Sequence, residues 1–185
     1  MGLMTFFKLN VAGGRSAATV ATTPRLVLRR ITPADAPFLL RQLNEPSWLK
    51  NIGDKGARTL ADVEKYIRNG PLEMYRKHGF GMYLVELKDG GAPVGMCGLV
   101  RRDGLPGPDI GFALLEEHFG KGYALEAAAA VMKHARGALG IGRVLAITTP
   151  GNERSGKLLA KLGFREDGTV RLTPQSEELK LYVSG

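Results

Sequence analysis

A turn with two glycines stands between an alternating segment and an alanine-rich one, and its residue types suit the binding of phosphate. The turn is Phe119-Gly120-Lys121-Gly122-Tyr123-Ala124. The preceding segment Asp109–Leu115 alternates as a strand does, and Leu125–Arg136 carries apolar residues at helical spacing. Glycines at such a junction leave backbone N–H groups uncovered at the positive end of a helix dipole, and Lys121 adds a cation. The turn is therefore a candidate phosphate site, although glycine also suits any tight turn.

Two common nucleotide motifs do not fit this turn. The dinucleotide fingerprint Gly-x-Gly-x-x-Gly needs a third glycine where the chain has Leu125. A P-loop needs a glycine where the chain has Leu115, and a serine or threonine where it has Gly122. The sequence therefore disfavours both motifs.

A second stretch gives the turn a family context. Asn152-Glu153-Arg154-Ser155 is followed by Leu158–Phe164, and these blocks in this order resemble the GNAT N-acetyltransferase superfamily. The acetyl-CoA loop of that family has the form Gln/Arg-x-x-Gly-x-Gly/Ala, which falls on Phe119–Ala124 with an aromatic residue in the first position. An aromatic residue at this position resembles the loop sequence of the branch that contains the RimJ and RimL type ribosomal-protein N-terminal acetyltransferases. The resemblance covers roughly Arg25 to the C-terminus.

The resemblance implies an enzyme that transfers the acetyl group of acetyl-CoA to a primary amine by direct attack in a ternary complex. The strand before the turn would splay from the strand that contains Val144, and its backbone would pair with the pantetheine arm. A backbone N–H near Leu114 would then polarise the acetyl carbonyl. The implied cofactor-binding residues are Phe112, Ala113, Leu114, Phe119, Gly120, Lys121, Gly122, Tyr123, Ala124, Asn152 and Ser155. The acceptor stays open between a protein N-terminal α-amine and a small-molecule amine.

Asn152 and Ser155 have two interpretations. Their spacing at a predicted helix start is already explained by a helix cap. The resemblance implies in addition that Asn152 touches the cofactor and that a residue of this helix faces the sulfur. Many members of the family carry a tyrosine acid four residues before the Gly of Gly-Phe, where this chain has Leu159. Ser155, or water, is then the predicted proton source for the departing thiolate.

Two carboxylates are candidates for the general base. An ammonium must lose a proton before its nitrogen attacks, and a carboxylate, or a water that it holds, can accept that proton. Asp109 begins the cofactor strand and Glu86 lies on an otherwise apolar strand, although each also fits a solvated charge at a strand end. Trp48, in a polar loop predicted over Glu45–Gly56, is a candidate for the acceptor site, with a core role as the alternative.

The net charge of +8 calls for an anionic partner. The phosphates of CoA account for it, and nucleic acid would account for it equally well. Aromatic residues make up only 7% of the chain and no RNA-stacking signature is present, which disfavours nucleic acid. A non-catalytic CoA-binding domain and a basic nucleic-acid-binding domain remain the alternatives to an enzyme. No apolar run approaches the ~18 residues of a membrane span.

The remaining chemistry-bearing residues point away from metal and disulfide chemistry. Cys97 is the single cysteine, which excludes an internal disulfide and suits a reducing cytoplasm. Three histidines have no metal-ligand spacing, so no metal is predicted: His78, His118 and His134.

The order of predicted elements favours a mixed α/β fold. A strand over Arg25–Ile31 is followed by two or three helices, three antiparallel strands, a helix, a strand, a helix and two closing strands. This agrees with the GNAT fold, a mostly antiparallel sheet with splayed strands flanked by helices. We expect residues 1–23 to be a flexible extension and residues 24–185 to be one domain, present as a monomer or homodimer.

Overall fold

A computed structural model describes residues 17–185 as a single mixed sheet with helices on both faces. The strands are β1 Thr19–Thr22, β2 Leu26–Arg30, β3 Met82–Leu87, β4 Pro93–Arg101, β5 Pro108–Leu114, β6 Leu145–Thr148, β7 Phe164–Val170 and β8 Leu179–Ser184. The helices are α1 Ala36–Leu43, α2 Pro46–Asn51, α3 Leu60–Ile67, α4 Glu73–His78, α5 Tyr123–Gly137 and α6 Glu153–Lys161.

The strands of this part of the chain lie in the order β1-β2-β3-β4-β5-β6-β8-β7. All neighbours are antiparallel except β5 and β6, which run parallel. The β5–β6 pairing has one register position, Asp109 opposite Leu145. Beyond it the two strands diverge toward Leu114. The predicted mixed α/β fold, with a mostly antiparallel sheet and splayed strands, is confirmed.

Each face of the sheet carries its own apolar core, as the alternation of side chains along a strand requires. On β3, Tyr83 and Val85 pack on the face that α5 and α6 cover. Leu84, between them, packs on the opposite face with residues of α1, α2 and α3. The sheet is therefore fixed from both sides. Within residues 17–185, none of the helices combines the length and the apolarity that crossing a membrane demands.

The predicted boundary of the N-terminal extension is wrong for its last residues. Thr19–Thr22 form β1, which pairs antiparallel with β2 and extends the sheet beyond it. The short run Thr-Val-Ala-Thr alone gives little indication of a strand. Its strand conformation accompanies pairing with β2, in which Thr22 lies opposite Val27. Residues 1–16, the rest of the predicted extension, lie outside the described part of the chain.

The loop predicted over Glu45–Gly56 contains a helix instead, α2. Pro46 occupies its first turn, where the fixed φ of proline suits a helix and its missing N–H costs nothing. Trp48 is only 6% exposed and packs in the core, and its indole N–H donates to the Gly53 carbonyl at 3.1 Å. The alternative core role of Trp48 therefore applies, and Trp48 also borders a pocket.

Gly95 of β4 lets β4 and β5 lie close together. A Cβ built at this residue would meet the Ala113 carbonyl oxygen and would lie 2.6 Å from the Leu114 Cα. Because the obstacle is backbone, we expect Gly95→Ala to lower the free energy of unfolding by about 1–3 kcal/mol, as overpacking commonly does. Gly142→Ala is the control, because nothing lies within 4 Å of its built Cβ. Urea denaturation of both variants checks this, and equal stability of the two would contradict it.

Candidate functional site

A pocket opens where β5 and β6 diverge. One wall comes from β5, the glycine turn and α6, and the other comes from α1, α2 and the residues that join them. Its lining residues are Gln42, Glu45, Ser47, Trp48, Asn51, Ile52, Phe112, Ala113, Leu114, Phe119, Ala124, Asn152, Arg154, Ser155 and Leu158. The structure thus brings together eight predicted site residues: Trp48, Phe112, Ala113, Leu114, Phe119, Ala124, Asn152 and Ser155.

The backbone of β5 presents hydrogen-bonding groups to this opening. The Leu115 N–H donates to the Val94 carbonyl of the β4 side at 2.9 Å. Successive residues of a strand direct their backbone groups to opposite sides, so the N–H of Leu114 points away from β4. With β6 diverged, that side is the pocket. A backbone donor beside an apolar wall is suited to an extended amide ligand or to a developing oxyanion.

The predicted phosphate turn has the geometry that its glycines indicated. Gly120 and Gly122 have φ of 76° and 80°, a left-handed conformation that other residues rarely adopt. Helix α5 begins at Tyr123, and the Glu126 N–H donates to the Gly122 carbonyl at 3.1 Å. The N–H groups of the three preceding helical residues therefore have no intrahelical acceptor. They form the positive end of the longest helix of the described chain, next to the pocket.

Arg25, which the sequence reasoning missed, holds this turn in place. Its Nη1 donates to the Lys121 carbonyl at 2.9 Å, and its Nη2 lies 2.6 Å from Glu126 Oε2. Its guanidinium also lies over the ring of Tyr123, 4.7 Å from the centroid. Burial alone would raise the pKa of Glu126, but hydrogen bonds from Thr23 and Arg25 keep this pKa below its usual value. An ionised Glu126 therefore ties the connection between β1 and β2 to the first turn of α5.

The start of α6 borders the pocket from the other side of the opening. Asn152 Oδ1 accepts a hydrogen bond from the Ser155 N–H at 3.1 Å, which is the predicted cap. Ser155 is one of the residues that line the pocket. Leu159, the position compared with the family tyrosine, is fully buried in the core, and it is Leu158 that lines the pocket. A side chain at position 159 therefore packs against the sheet.

Arg154 supplies a cation that the sequence reasoning did not single out. Its guanidinium carbon lies 3.7 Å from the centre of the Phe119 ring, a cation–π contact between α6 and the glycine turn. The aromatic residue that departs from the family pattern at the first loop position thus has a defined partner. The contact brings a positive charge to the pocket rim beside the turn.

Reciprocal hydrogen bonds join the wall built by α1, α2 and their connection to the segment before the glycine turn. Glu45 Oε2 accepts from the Glu116 N–H at 3.1 Å, and Glu116 Oε1 accepts from the Ser47 N–H at 3.0 Å. Among the described residues that line the pocket, Glu45 carries the only carboxylate. Its side chain is 15% exposed. The sequence reasoning missed Glu45 because it lies in a segment predicted as a plain polar loop.

The two carboxylates predicted as bases lie elsewhere. Asp109 has a side chain only 1% exposed, paired with Arg102 at 3.0 Å, and burial raises its pKa above the usual value. Glu86 accepts from Arg29 Nη2 at 2.7 Å. Arg29 also pairs with Asp35, and although burial opposes it, this pairing lowers the pKa of Asp35. Neither Glu86 nor Asp109 is among the pocket-lining residues. The Glu86 ion pair joins β3 to β2, and the Asp109 ion pair joins β5 to the connection between β4 and β5.

The described residues contain no cluster of three or more His, Cys, Asp or Glu side chains that could hold a metal ion. Cys97 lies fully buried on β4, and burial raises the pKa of its thiol. A thiol in that state is a poor nucleophile. The chemistry of the described pocket residues therefore rests on backbone donors, the Glu45 carboxylate and the hydroxyls of Ser47 and Ser155.

Comparison with known proteins places these features in a family. The family model described as an acetyltransferase (GNAT) domain matches residues 25–165. The uncharacterised N-acetyltransferase YoaA of Bacillus subtilis (strain 168) is 26% identical over 154 residues, which are 82% of this chain and 86% of that protein. An acetyltransferase from Agrobacterium tumefaciens str. C58 superposes with a TM-score of 0.76 at 25% identity, covering 100% of this chain and 99% of its own.

A further solved structure shares the fold. RimL, named a ribosomal L7/L12 α-N-protein acetyltransferase and solved in complex with coenzyme A, superposes with a TM-score of 0.76 at 18% identity. The match covers 90% of this chain and 97% of the RimL chain.

The glycine turn can be tested by a variant that blocks its N–H groups. We expect Gly122→Glu to weaken acetyl-CoA binding by at least tenfold, because the side chain crowds the turn and places a negative charge at the phosphate site. Gly140→Glu is the matched control, because Gly140 also has a positive φ, 66°, and nothing lies within 4 Å of its built Cβ. Isothermal titration with acetyl-CoA compares the two folded variants. Equal affinity in both would remove the turn from the binding site.

Proposed function

Because the chain belongs to the acetyltransferase (GNAT) domain family, we propose that its pocket carries acetyl transfer from acetyl-CoA to a primary amine by direct attack in a ternary complex. The observation that carries the proposal is the opening between β5 and β6. The Leu114 backbone, the start of α5 and Ser155 of α6 all border this opening.

Acetyl-CoA would lie across the divergent strands. Its pyrophosphate would accept hydrogen bonds from the turn Gly120–Ala124, at the N-terminus of α5, with Lys121 and Arg154 nearby as cations. The pantetheine arm would follow the backbone of Phe112–Leu114 as an added strand. Asn152 would face the arm from α6. This placement brings the thioester to the middle of the pocket.

The reaction would then need few protein groups. The amine nitrogen attacks the acetyl carbon, and the Leu114 N–H donates to the carbonyl oxygen as negative charge develops there. When the intermediate collapses, the new C–N bond remains and the C–S bond breaks. The CoA thiolate leaves with a hydrogen bond from Ser155, near the positive end of the α6 dipole.

We propose Glu45 as the group that takes the proton from the incoming ammonium, directly or through a water. After Glu45 passes this proton to solvent, it can take the second proton, which the nitrogen loses as the amide forms and the thiolate leaves. Glu45 lines the pocket on the wall built by α1, α2 and their connection, which we take as the acceptor side, and Arg41 Nη2 lies 3.8 Å from its Oε1. The sequence candidates Glu86 and Asp109 are held in shorter ion pairs outside the pocket. The same negative charge would attract a cationic amine into the pocket.

The first candidate acceptor is the α-amine of a protein N-terminus, because RimL, which has the same fold, is named an α-N-protein acetyltransferase. A small-molecule amine is the second candidate. The free, buried Cys97 fits a reducing compartment, and we propose the cytoplasm. The test is acetyl-CoA turnover with peptides bearing free or blocked N-termini, amino acids, polyamines and aminoglycosides. Tight acetyl-CoA binding without turnover of any amine would favour a non-catalytic CoA-binding domain instead.

Ser155 should act on the leaving thiolate rather than on binding. A thiol with a pKa near ~8.5 leaves with little help near neutral pH. We therefore expect Ser155→Ala to keep acetyl-CoA affinity within a few-fold and to lower kcat by roughly ten- to a hundredfold. Adding Leu159→Tyr should not restore kcat, because the Leu159 side chain is buried in the core. Steady-state kinetics and direct binding check both variants. Parental turnover by Ser155→Ala would reduce Ser155 to a pocket-lining residue without a chemical role.

Glu45 and Glu86 provide a matched pair for the base. Glu45→Gln keeps an oxygen for the Glu116 N–H but removes the charge, so we expect kcat/KM to fall by about 10²–10⁴-fold with little loss of stability. Glu86→Gln breaks the charge pairing with Arg29, so we expect a lower Tm and a kcat within a few-fold of the parent. Thermal unfolding and initial rates separate these outcomes. The reverse pattern of rates would return the role to Glu86.

A further inference from the structure

Gln42 of α1 joins the acceptor-side wall to the cofactor strand. Its side chain is 1% exposed, and its Nε2 donates to the Ala113 carbonyl at 2.7 Å. A carbonyl can only accept, so this contact fixes which end of the amide faces β5. The oxygen end, Oε1, must therefore point elsewhere.

That oxygen lacks a partner. Among residues 17–185, Gln42 Oε1 is buried and accepts no hydrogen bond, while the residue lines the pocket. A buried acceptor without a donor is costly, and such groups in proteins are nearly always paired. Because Gln42 lines the pocket while Oε1 has almost no exposed surface, a ligand in the pocket brings the missing donor when the amide or its neighbours shift slightly. An amide oxygen selects N–H or O–H groups and disfavours anions.

We propose that Gln42 Oε1 accepts a hydrogen bond from an N–H of the acceptor amine and makes the site selective for primary amines. This inference rests on the proposed function. A neutral primary amine has two N–H bonds and one lone pair. One N–H can go to Gln42 and the other to the Glu45 side, which leaves the lone pair directed at the acetyl carbon.

A secondary amine cannot satisfy the same arrangement. Its neutral form has a single N–H, which must be the proton that is finally lost to the base. Gln42 Oε1 then stays unpaired in the reactive complex. A site built to bond an N–H rejects the analogue that lacks it, because the buried group of the protein loses its partner. The preference for primary over secondary amines therefore comes from one atom, Gln42 Oε1.

The amide N–H groups of pantetheine are the other donors of the same kind in this pocket. We infer the amine as the source, because Gln42 lies on the acceptor-side wall with Glu45 and Trp48. A pantetheine partner would instead make Gln42 a determinant of acetyl-CoA affinity. Direct binding of acetyl-CoA distinguishes the two sources.

The test uses Gln42→Met, which keeps the length of the side chain and removes both its donor and its acceptor. The readouts are kcat/KM for a primary amine substrate and for its N-methyl counterpart, and the Kd of acetyl-CoA. We expect the preference for the primary amine to fall by roughly tenfold or more, because one hydrogen bond to the amine is lost. The Kd of acetyl-CoA should stay within two- to threefold.

Asn44 supplies the matched control. Its Nδ2 donates to the carbonyls of Leu40 and Ala57, its Oδ1 accepts from Arg58, and it does not line the pocket. Asn44→Leu therefore removes a paired amide two residues away. It should lower Tm and leave the preference for the primary amine unchanged. Gln42→Leu is the second variant in case the methionine variant does not fold.

Three outcomes would overturn the inference. An unchanged preference in the Gln42 variants, with parental acetyl-CoA affinity, removes Gln42 Oε1 from recognition. A tenfold weaker acetyl-CoA Kd with an unchanged preference assigns the oxygen to pantetheine instead. A parent protein that turns over no amine removes the proposed function and this inference with it. Turnover by the parent with unaltered selectivity in the variants removes the inference alone.

Discussion

The divergence of β5 from β6 is the constraint on which the rest of the structure depends. A sheet normally satisfies the backbone groups of each inner strand on both sides. Here β5 is fully paired with β4 but meets β6 at one position, Asp109 opposite Leu145. Backbone donors near Leu114 are thus left for a ligand, and the fold must keep the opening from closing. The close approach at Gly95 and the hydrogen bond from Gln42 to Ala113 hold β5 on its other sides.

Charged side chains do most of the work of positioning around this opening. Arg25 fixes the glycine turn through Glu126, and the Glu45–Glu116 segment joins the two walls. Arg29 gathers Asp35 and Glu86 at the other end of the sheet. Many of the ionisable groups are therefore engaged in structural ion pairs and hydrogen bonds. The net charge of +8 alone does not point to one site, whereas Arg154 places one of these charges at the pocket beside the glycine turn.

Features that depend on neighbours in the chain could be predicted from the sequence. The positive-φ glycines of the turn, the Asn152 cap and the order of most strands and helices belong to this group. The contributions of Arg25, Gln42 and Glu45 could not be predicted, because their partners lie more than 65 residues away in the chain. Local context alone also made Asp109 and Glu86 look available, although Arg102 lies only seven residues from Asp109 and Arg29 lies 57 residues from Glu86. Their arginine partners are visible only in the folded chain.

The chemistry of the acceptor-side wall follows from where negative charge develops. In the proposed reaction the acetyl oxygen would gain charge beside the Leu114 N–H, next to the Ala113 carbonyl that Gln42 holds. A carboxylate at the position of Gln42 would repel both that carbonyl and the developing oxyanion, whereas a neutral amide accepts an N–H without adding charge. The one carboxylate of the lining, Glu45, lies three residues farther along the chain and is itself held by the Glu116 N–H. In the proposed reaction the wall would thus separate recognition of the amine by a neutral acceptor from removal of its proton by a charged one.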